Sequence, residues 1–138
     1  MSACDNDLMS VTLSNPDGLF APANYSQVAS ATGSRTIYVA GQLGVDADGR
    51  LAGTDLASQS AQAFRNLEAA LRSAGASPQD VAKLTIYVVG FRPELLPDVQ
   101  QGRAAVFAEH RPAAALVGVS SLAGPDFLIE VEAVAVLD

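Results

Sequence analysis

Two carboxylates set two residues apart near the C-terminus, Glu130 and Glu132, are the groups in this chain best arranged to do chemistry. They lie in the run Phe127–Leu137, FLIEVEAVAVL, which has β-branched residues in alternation and no Gly or Pro, and so reads as a strand. One parity of that strand, Phe127, Ile129, Val131, Ala133 and Ala135, is wholly apolar. The other, Leu128, Glu130, Glu132, Val134 and Val136, carries both glutamates among aliphatic neighbours. Residues two apart on a strand share a face at roughly 6.5–7 Å, within reach of one pocket or one ion-pair network. A strand apolar on one face and mostly apolar on the other is buried on both, and a buried carboxylate needs partners. Two readings stay open on these residues alone. Both glutamates are satisfied at a subunit interface, or at least one is an acid/base group.

The rest of the inventory excludes much other chemistry. His110 is the only histidine, and it falls at a helix end where a cation suits the dipole, so a capping role ranks ahead of a catalytic one. Cys4 is the only cysteine; it reads as an incidental thiol in a polar N-terminal segment and cannot form an internal disulfide. No Cys or His cluster offers a transition-metal site, and Gly41 with Gly44 is a poor echo of a phosphate loop. Asp46 and Asp48 lack the spacing of a calcium loop. No cofactor or metal is therefore expected. Carboxylates, arginines, hydroxyls, backbone amides and water remain. They suffice to hydrolyse an activated bond such as an imine and are too little for an amide.

These groups must be held by a chain of 138 residues that is 49% hydrophobic and only 17% charged, with a formal net charge of −7. Length and composition predict one domain over 1–138, with about 1–14 a loosely held segment or a short first strand. The acidity opposes binding to nucleic acid or an anionic membrane. No long apolar span or signal-peptide pattern is present, so cytoplasmic residence is expected. So little charged surface on so small a chain predicts apolar area buried against other copies.

The periodicity predicts short strands and two helices. Met9–Ser14 reads as a short strand, and Tyr25–Ala31 as one arm of a hairpin whose other arm is Thr36–Leu43. Gly41 interrupts that second arm, which marks a bulge or a backbone amide facing a ligand. Asp55–Ala74 is helical, with Ala57, Phe64, Leu67, Leu71 and Ala74 on one face, Thr54 or Asp55 capping its start and Gly75 its end. Val81–Val89 is a strand with Leu84, Ile86 and Val88 on one face. A second helix runs from about Glu94 to Glu109 with Leu95 or Leu96, Val99, Val106 and Phe107 as its stripe, and Ala113–Val119 is another strand. Two helices, each apolar on one side, would cover one face of a mixed sheet and leave the other face for neighbouring subunits.

The segments YVAGQLGVDADG (Tyr38–Gly49), QAFRNLEAALRSAGASPQDVAKLTIYV (Gln62–Val88) and PAAALVGVSSLAGPDFLIEVEAVAV (Pro112–Val136) together resemble the RidA/YjgF superfamily, whose members are also called L-PSP endoribonucleases or reactive imine deaminases. The likeness runs from about Leu19 to the C-terminus. It implies a chorismate-mutase-like α/β (α+β) domain assembling as a homotrimer, with three clefts between subunits for a small molecule. It also implies site residues: Glu130 to position the hydrolytic water, Tyr25 and the Gly41 backbone to line the cleft, and Gln100 where the family has asparagine. One departure stands out. The family's carboxylate-binding arginine is Ala114 here, and the cysteine two positions on is Leu116. Losing that arginine removes a contact of roughly 1.5–3 kcal/mol and leaves an apolar wall suited to a larger or more hydrophobic ligand. Arg92, Arg103 and Arg111 are the arginines whose relation to the cleft sequence leaves open.

Two functions follow. One is a hydrolase that deaminates a reactive imine or enamine, with Glu130 activating water. The other is a non-catalytic trimer that binds or senses a small ligand, with Glu130 kept as an interface group. A ribonuclease ranks below both because no basic stripe is present. A chorismate mutase ranks lower still, for want of several arginines converging on a dicarboxylate.

Overall fold

The β-branched runs become strands, four of them in one mixed sheet, in a computed structural model that describes residues 10–138. Cys4 and Met9 lie outside the described residues. The elements in chain order are β1 (Val11–Ser14), β2 (Val28–Ala31), β3 (Arg35–Leu43), α1 (Leu56–Ser73), β4 (Val81–Val89), α2 (Leu96–Phe107), β5 (Ala113–Val119) and β6 (Ile129–Leu137). The main sheet has the order β3-β6-β4-β5. The last strand is thus central, antiparallel to β3 on one side and to β4 on the other. Strands β4 and β5 run parallel, which requires the crossover that α2 supplies.

Parity along β6 decides the layering. Ile129, Val131, Ala133 and Ala135 are buried under the helices together with Leu84, Ile86 and Val88 of β4. Phe64, Leu67 and Leu71 of α1 and Val99 and Phe107 of α2 complete this core, with Phe64 and Phe107 meeting edge to face. The helices approach closely at Gly102, where a Cβ would stand 2.6 Å from Ser60 Oγ and 2.8 Å from its carbonyl oxygen. Only the absence of a side chain permits that spacing.

The other face, with Glu130, Glu132 and Val134 of β6 and Tyr87 of β4, is uncovered in the single chain. Tyr38 on β3, which pairs with Val134, is 79% exposed. This is the apolar face that the sequence expects to meet other copies.

Two local expectations are corrected, and one open choice is decided. The predicted hairpin of Tyr25–Ala31 with Thr36–Leu43 does not form: β2 pairs with β1, Val28 opposite Ser14, in a separate two-stranded sheet. The polar turn at 15–18 brings the chain back far enough for β1 to take that edge. Next, α2 is shorter than predicted, opening on a 3-10 turn at Pro93–Leu95 and ending at Phe107 before Ala108 takes a positive φ of 50°. His110 therefore lies beyond the helix. Its ring bonds the Val81 carbonyl oxygen (Nε2···O 2.8 Å) and stacks on Phe107, joining the helix exit to the start of β4. For α1, Asp55 rather than Thr54 caps the first turn. Its carboxylate accepts from Ser58 N at 2.9 Å, which holds the carboxyl below its ordinary pKa.

Candidate functional site

Glu130 reaches its position through the register of β6 and a bulge in β3. Between the pairs Val39–Ala133 and Gln42–Val131, Ala40 and Gly41 together oppose Glu132. A side chain at Gly41 would run into the Glu130 carboxylate, with Cβ 1.7 Å from Oε2. The carboxylate thus occupies the space that the missing side chain leaves, against bare backbone. The bulge expected at Gly41 is present, and its partner is a glutamate.

Glu132, on the same face, is engaged differently. It accepts a hydrogen bond from Tyr87 Oη at 2.6 Å. Tyr87 sits beside Glu130 in the β4–β6 register, so one tyrosine lies among both carboxylates and donates to one. That bond, followed by desolvation and the charges of Glu132 and Glu130, raises the Tyr87 pKa. The contact therefore stabilises the fold at pH values below the ordinary tyrosine range near 10 and is lost as pH rises through the raised value. Tyr87 should titrate late when followed by tyrosinate absorbance. Glu132→Gln should move that late step down; an unchanged curve would contradict the assignment.

A second group gathers on the helix side. Ala114 and Leu116 pair with Leu84 and Ile86, so they point toward α2. With Tyr25, Ile86, Gln100 and Arg103 they enclose a cavity of about 250 Å³. Tyr25 is delivered there by Ser26, whose N–H donates to the Pro112 carbonyl (3.1 Å) and whose hydroxyl donates to the Arg111 carbonyl (2.5 Å). Residue 26 also bridges to Ala113 in parallel, which ties the loop before β2 to the free edge of β5.

The expected site residues thus fall into two sets. Tyr25, Gln100, Ala114 and Leu116 share the cavity; Glu130 and Gly41 share the bulge on the opposite face of the sheet. A single chain does not bring them together. Of the three arginines, Arg103 lines the cavity, whereas Arg111 pairs with Glu109 at 3.4 Å and Arg92 with Glu94 at 3.3 Å at the surface. Sequence leaves Arg103 open beside Arg92 and Arg111; it lies four residues after Val99 and four before Phe107 and therefore on the buried stripe of α2. Tyr87 is a residue that sequence does not single out, because its partner depends on strand register.

Known proteins share this architecture and much of the sequence. The Rid-family protein YyfB from Yersinia pestis superposes with a TM-score of 0.87 at 36% identity, covering 94% of this chain and all of that one. A YjgF/YER057c/UK114-family member from Mycobacterium tuberculosis gives 0.64 at 32% identity, over 93% of this chain and all of that one. A RutC family protein of Pyrococcus horikoshii is 35% identical over 112 residues, 80% of this chain and 85% of that protein. A 2-iminobutanoate/2-iminopropanoate deaminase of Dermatophagoides farinae is 27% identical over 115 residues, 83% of this chain and 86% of that protein. Two helices on one face of a mixed sheet, with β6 at its centre, is the YjgF or chorismate-mutase-like fold that these likenesses describe. The family model described as Endoribonuclease L-PSP matches residues 17–137, which takes in every site residue above, and the chain belongs to that Rid/YjgF family.

Proposed function

We propose that this protein hydrolyses a reactive imine or enamine to the carbonyl compound and ammonia, in clefts formed between the subunits of a homotrimer. The observation that carries the reading is the Glu130 carboxylate, set against the bare backbone of Gly41 on a sheet face that the single chain leaves uncovered. The cavity holding Tyr25, Gln100, Ala114 and Leu116 opens from the opposite side, so the two sets complete one site when one copy's sheet face meets a neighbour's cavity. The mite relative named as an imine deaminase supports the reaction class.

In this reading Glu130 accepts a proton from water as the oxygen attacks the imine carbon. The carbon–nitrogen double bond opens to a carbinolamine. Glu130 returns that proton to nitrogen to complete the carbinolamine, then carries the hydroxyl proton to nitrogen in turn, so that ammonia leaves as the carbonyl forms. Tyr25 and the Gly41 backbone orient the substrate. Water, not a protein side chain, is the nucleophile, and no cofactor enters.

The test is ammonia release from 2-iminopropionate and bulkier imines generated in situ, combined with sedimentation of the same sample. Rates above background with a trimeric species are expected. A monomer would remove the intersubunit cleft. A trimer inert toward every imine would favour the second reading, a trimer that binds a small ligand without turning it over, which the cavity alone would suit.

A further inference from the structure

The cavity between α2 and β5 has hydrocarbon walls. Ile86, Leu96, Ala114 and Leu116 line it, and Asn24, Tyr25 and Gln100 add uncharged polar groups. Position 114 lies opposite Leu84 in the parallel register and so faces the helix layer, where alanine leaves room and offers no hydrogen bond. Arg103 is the charged residue of the lining. It is 8% exposed, its Nε donates to Gln100 Oε1, and its Nη1 is sealed from solvent. Two of its three nitrogens are thus out of reach of a molecule in the cavity.

The wall that a neighbouring copy would bring is no kinder to an anion. Glu130 and Glu132 stand on the open face of β6, and Tyr87 donates to Glu132 without adding charge. Lys83, on the same face of β4, is exposed and lies opposite Val134, farther along the strand than Glu132. A carboxylate set among hydrocarbon without a partner is costly, and like charges across a cleft repel it further. Hydrocarbon meets neither penalty. The volume of about 250 Å³ exceeds the roughly 150 Å³ of an apolar cavity that accommodates benzene, so a branched alkyl or phenyl group fits.

We propose that the site takes an imine that bears a branched alkyl or aryl group and no carboxylate, with the hydrocarbon seated on Ala114 and Leu116. The imine rests on the deaminase reading; the hydrocarbon and the missing carboxylate rest on the cavity. In the reaction the carbon–nitrogen double bond is exchanged for a carbon–oxygen one. Both protons of water end on nitrogen, which leaves as ammonia, and nothing is oxidised or reduced.

The test is calorimetric titration of the intact protein with 4-methylpentan-2-one and with 4-methyl-2-oxopentanoate. The two share the alkyl group and the carbonyl and differ by a methyl in place of the carboxylate. The parent should bind the ketone at least about 10-fold more tightly. Ala114→Arg sets a guanidinium in the wall and should reverse that order. Equal or tighter binding of the oxo acid by the parent, no binding of the ketone, or a folded Ala114→Arg that keeps the parent's order would each overturn the proposal. The comparison on the parent decides even if the arginine variant fails to fold. In turnover, the imine that a flavin amine oxidase releases from 3-methylbutylamine should yield ammonia above its spontaneous rate. It should also react faster than the imino acid with the same alkyl group that a flavin amino-acid oxidase releases from leucine. Ketone binding without hydrolysis of either imine would sink the deaminase reading and leave the ligand class standing. Preferential hydrolysis of the imino acid would do the reverse.

Discussion

Replacing Glu130 with glutamine should lower ammonia release by about 10²- to 10⁴-fold, the usual contribution of a positioned general base, while the variant should fold and sediment as the parent does. Glutamine keeps the size and the hydrogen-bonding oxygen but cannot take a proton from water. If Glu130 were an interface group only, the same change would alter assembly and leave turnover per trimer intact, so sedimentation beside kinetics separates the two. Gly41→Ala provides an independent approach to the same carboxylate. The new Cβ would sit 1.7 Å from the present Glu130 Oε2 and 2.6 Å from Cδ, so the carboxylate must swing off the bulge. Turnover should fall although Glu130 is still there. Glu132→Gln serves as the contrast: it removes the negative charge from the acceptor of the Tyr87 hydroxyl and should shift the tyrosine titration far more than the rate. Loss of activity in Glu132→Gln with an active Glu130→Gln would exchange the roles of the two glutamates.

Much of this arrangement is legible in the sequence, for identifiable reasons. Strand parity separates the buried from the uncovered face of β6, because a period of two leaves no freedom once one face is wholly apolar. Gly41 announces a bulge because glycine inside a β-branched run has little other use. What parity cannot say is which strand lies alongside. Glu130 and Glu132 are equivalent by spacing; they differ because the Tyr87 hydroxyl, on the residue opposite Glu130, reaches diagonally to Glu132, while the β3 bulge leaves Glu130 against backbone. The hairpin partner of β2 is missed for the same reason, since β1 and β3 offer similar alternation and only the turn geometry chooses between them. In the helices, a reading confined to apolar residues identifies Phe64, Leu67 and Leu71 but omits Gln59, Ser60 and Arg103, which occupy the same stripes. A polar residue at a buried helical position is a stronger sign of function or of a specific tether than another leucine would be.

Gln59 is such a tether, and Gln59→Leu should lower the free energy of unfolding by about 2–4 kcal/mol, measured by urea denaturation. The side chain is fully buried on α1, and its amide is completely used: Nε2 donates to the carbonyls of Gly53 and Asp126, both at 3.0 Å, and Oε1 accepts from Leu128 N at 2.9 Å. Leucine fills the volume but orphans all three backbone groups. Each would cost roughly 1–3 kcal/mol if sealed from water, and the exposure of Asp126 lets solvent recover part of that. The consequence extends past stability. Leu128 immediately precedes β6, and its carbonyl accepts from Val89 N, so the Gln59 amide helps fix where the last strand enters the sheet, two residues before Glu130. A one-residue slip would turn Glu130 into the core and Ile129 onto the open face. Gln59→Leu should therefore lose turnover beyond what its folded fraction explains. Gln59→Glu, which keeps the acceptor for Leu128 N but sets a carboxylate against two carbonyl oxygens, should destabilise at least as much. A stability change below about 0.5 kcal/mol in Gln59→Leu, the scale of an ordinary surface substitution, would show that the loop before β6 is held by its other contacts and that the placement of Glu130 does not depend on α1.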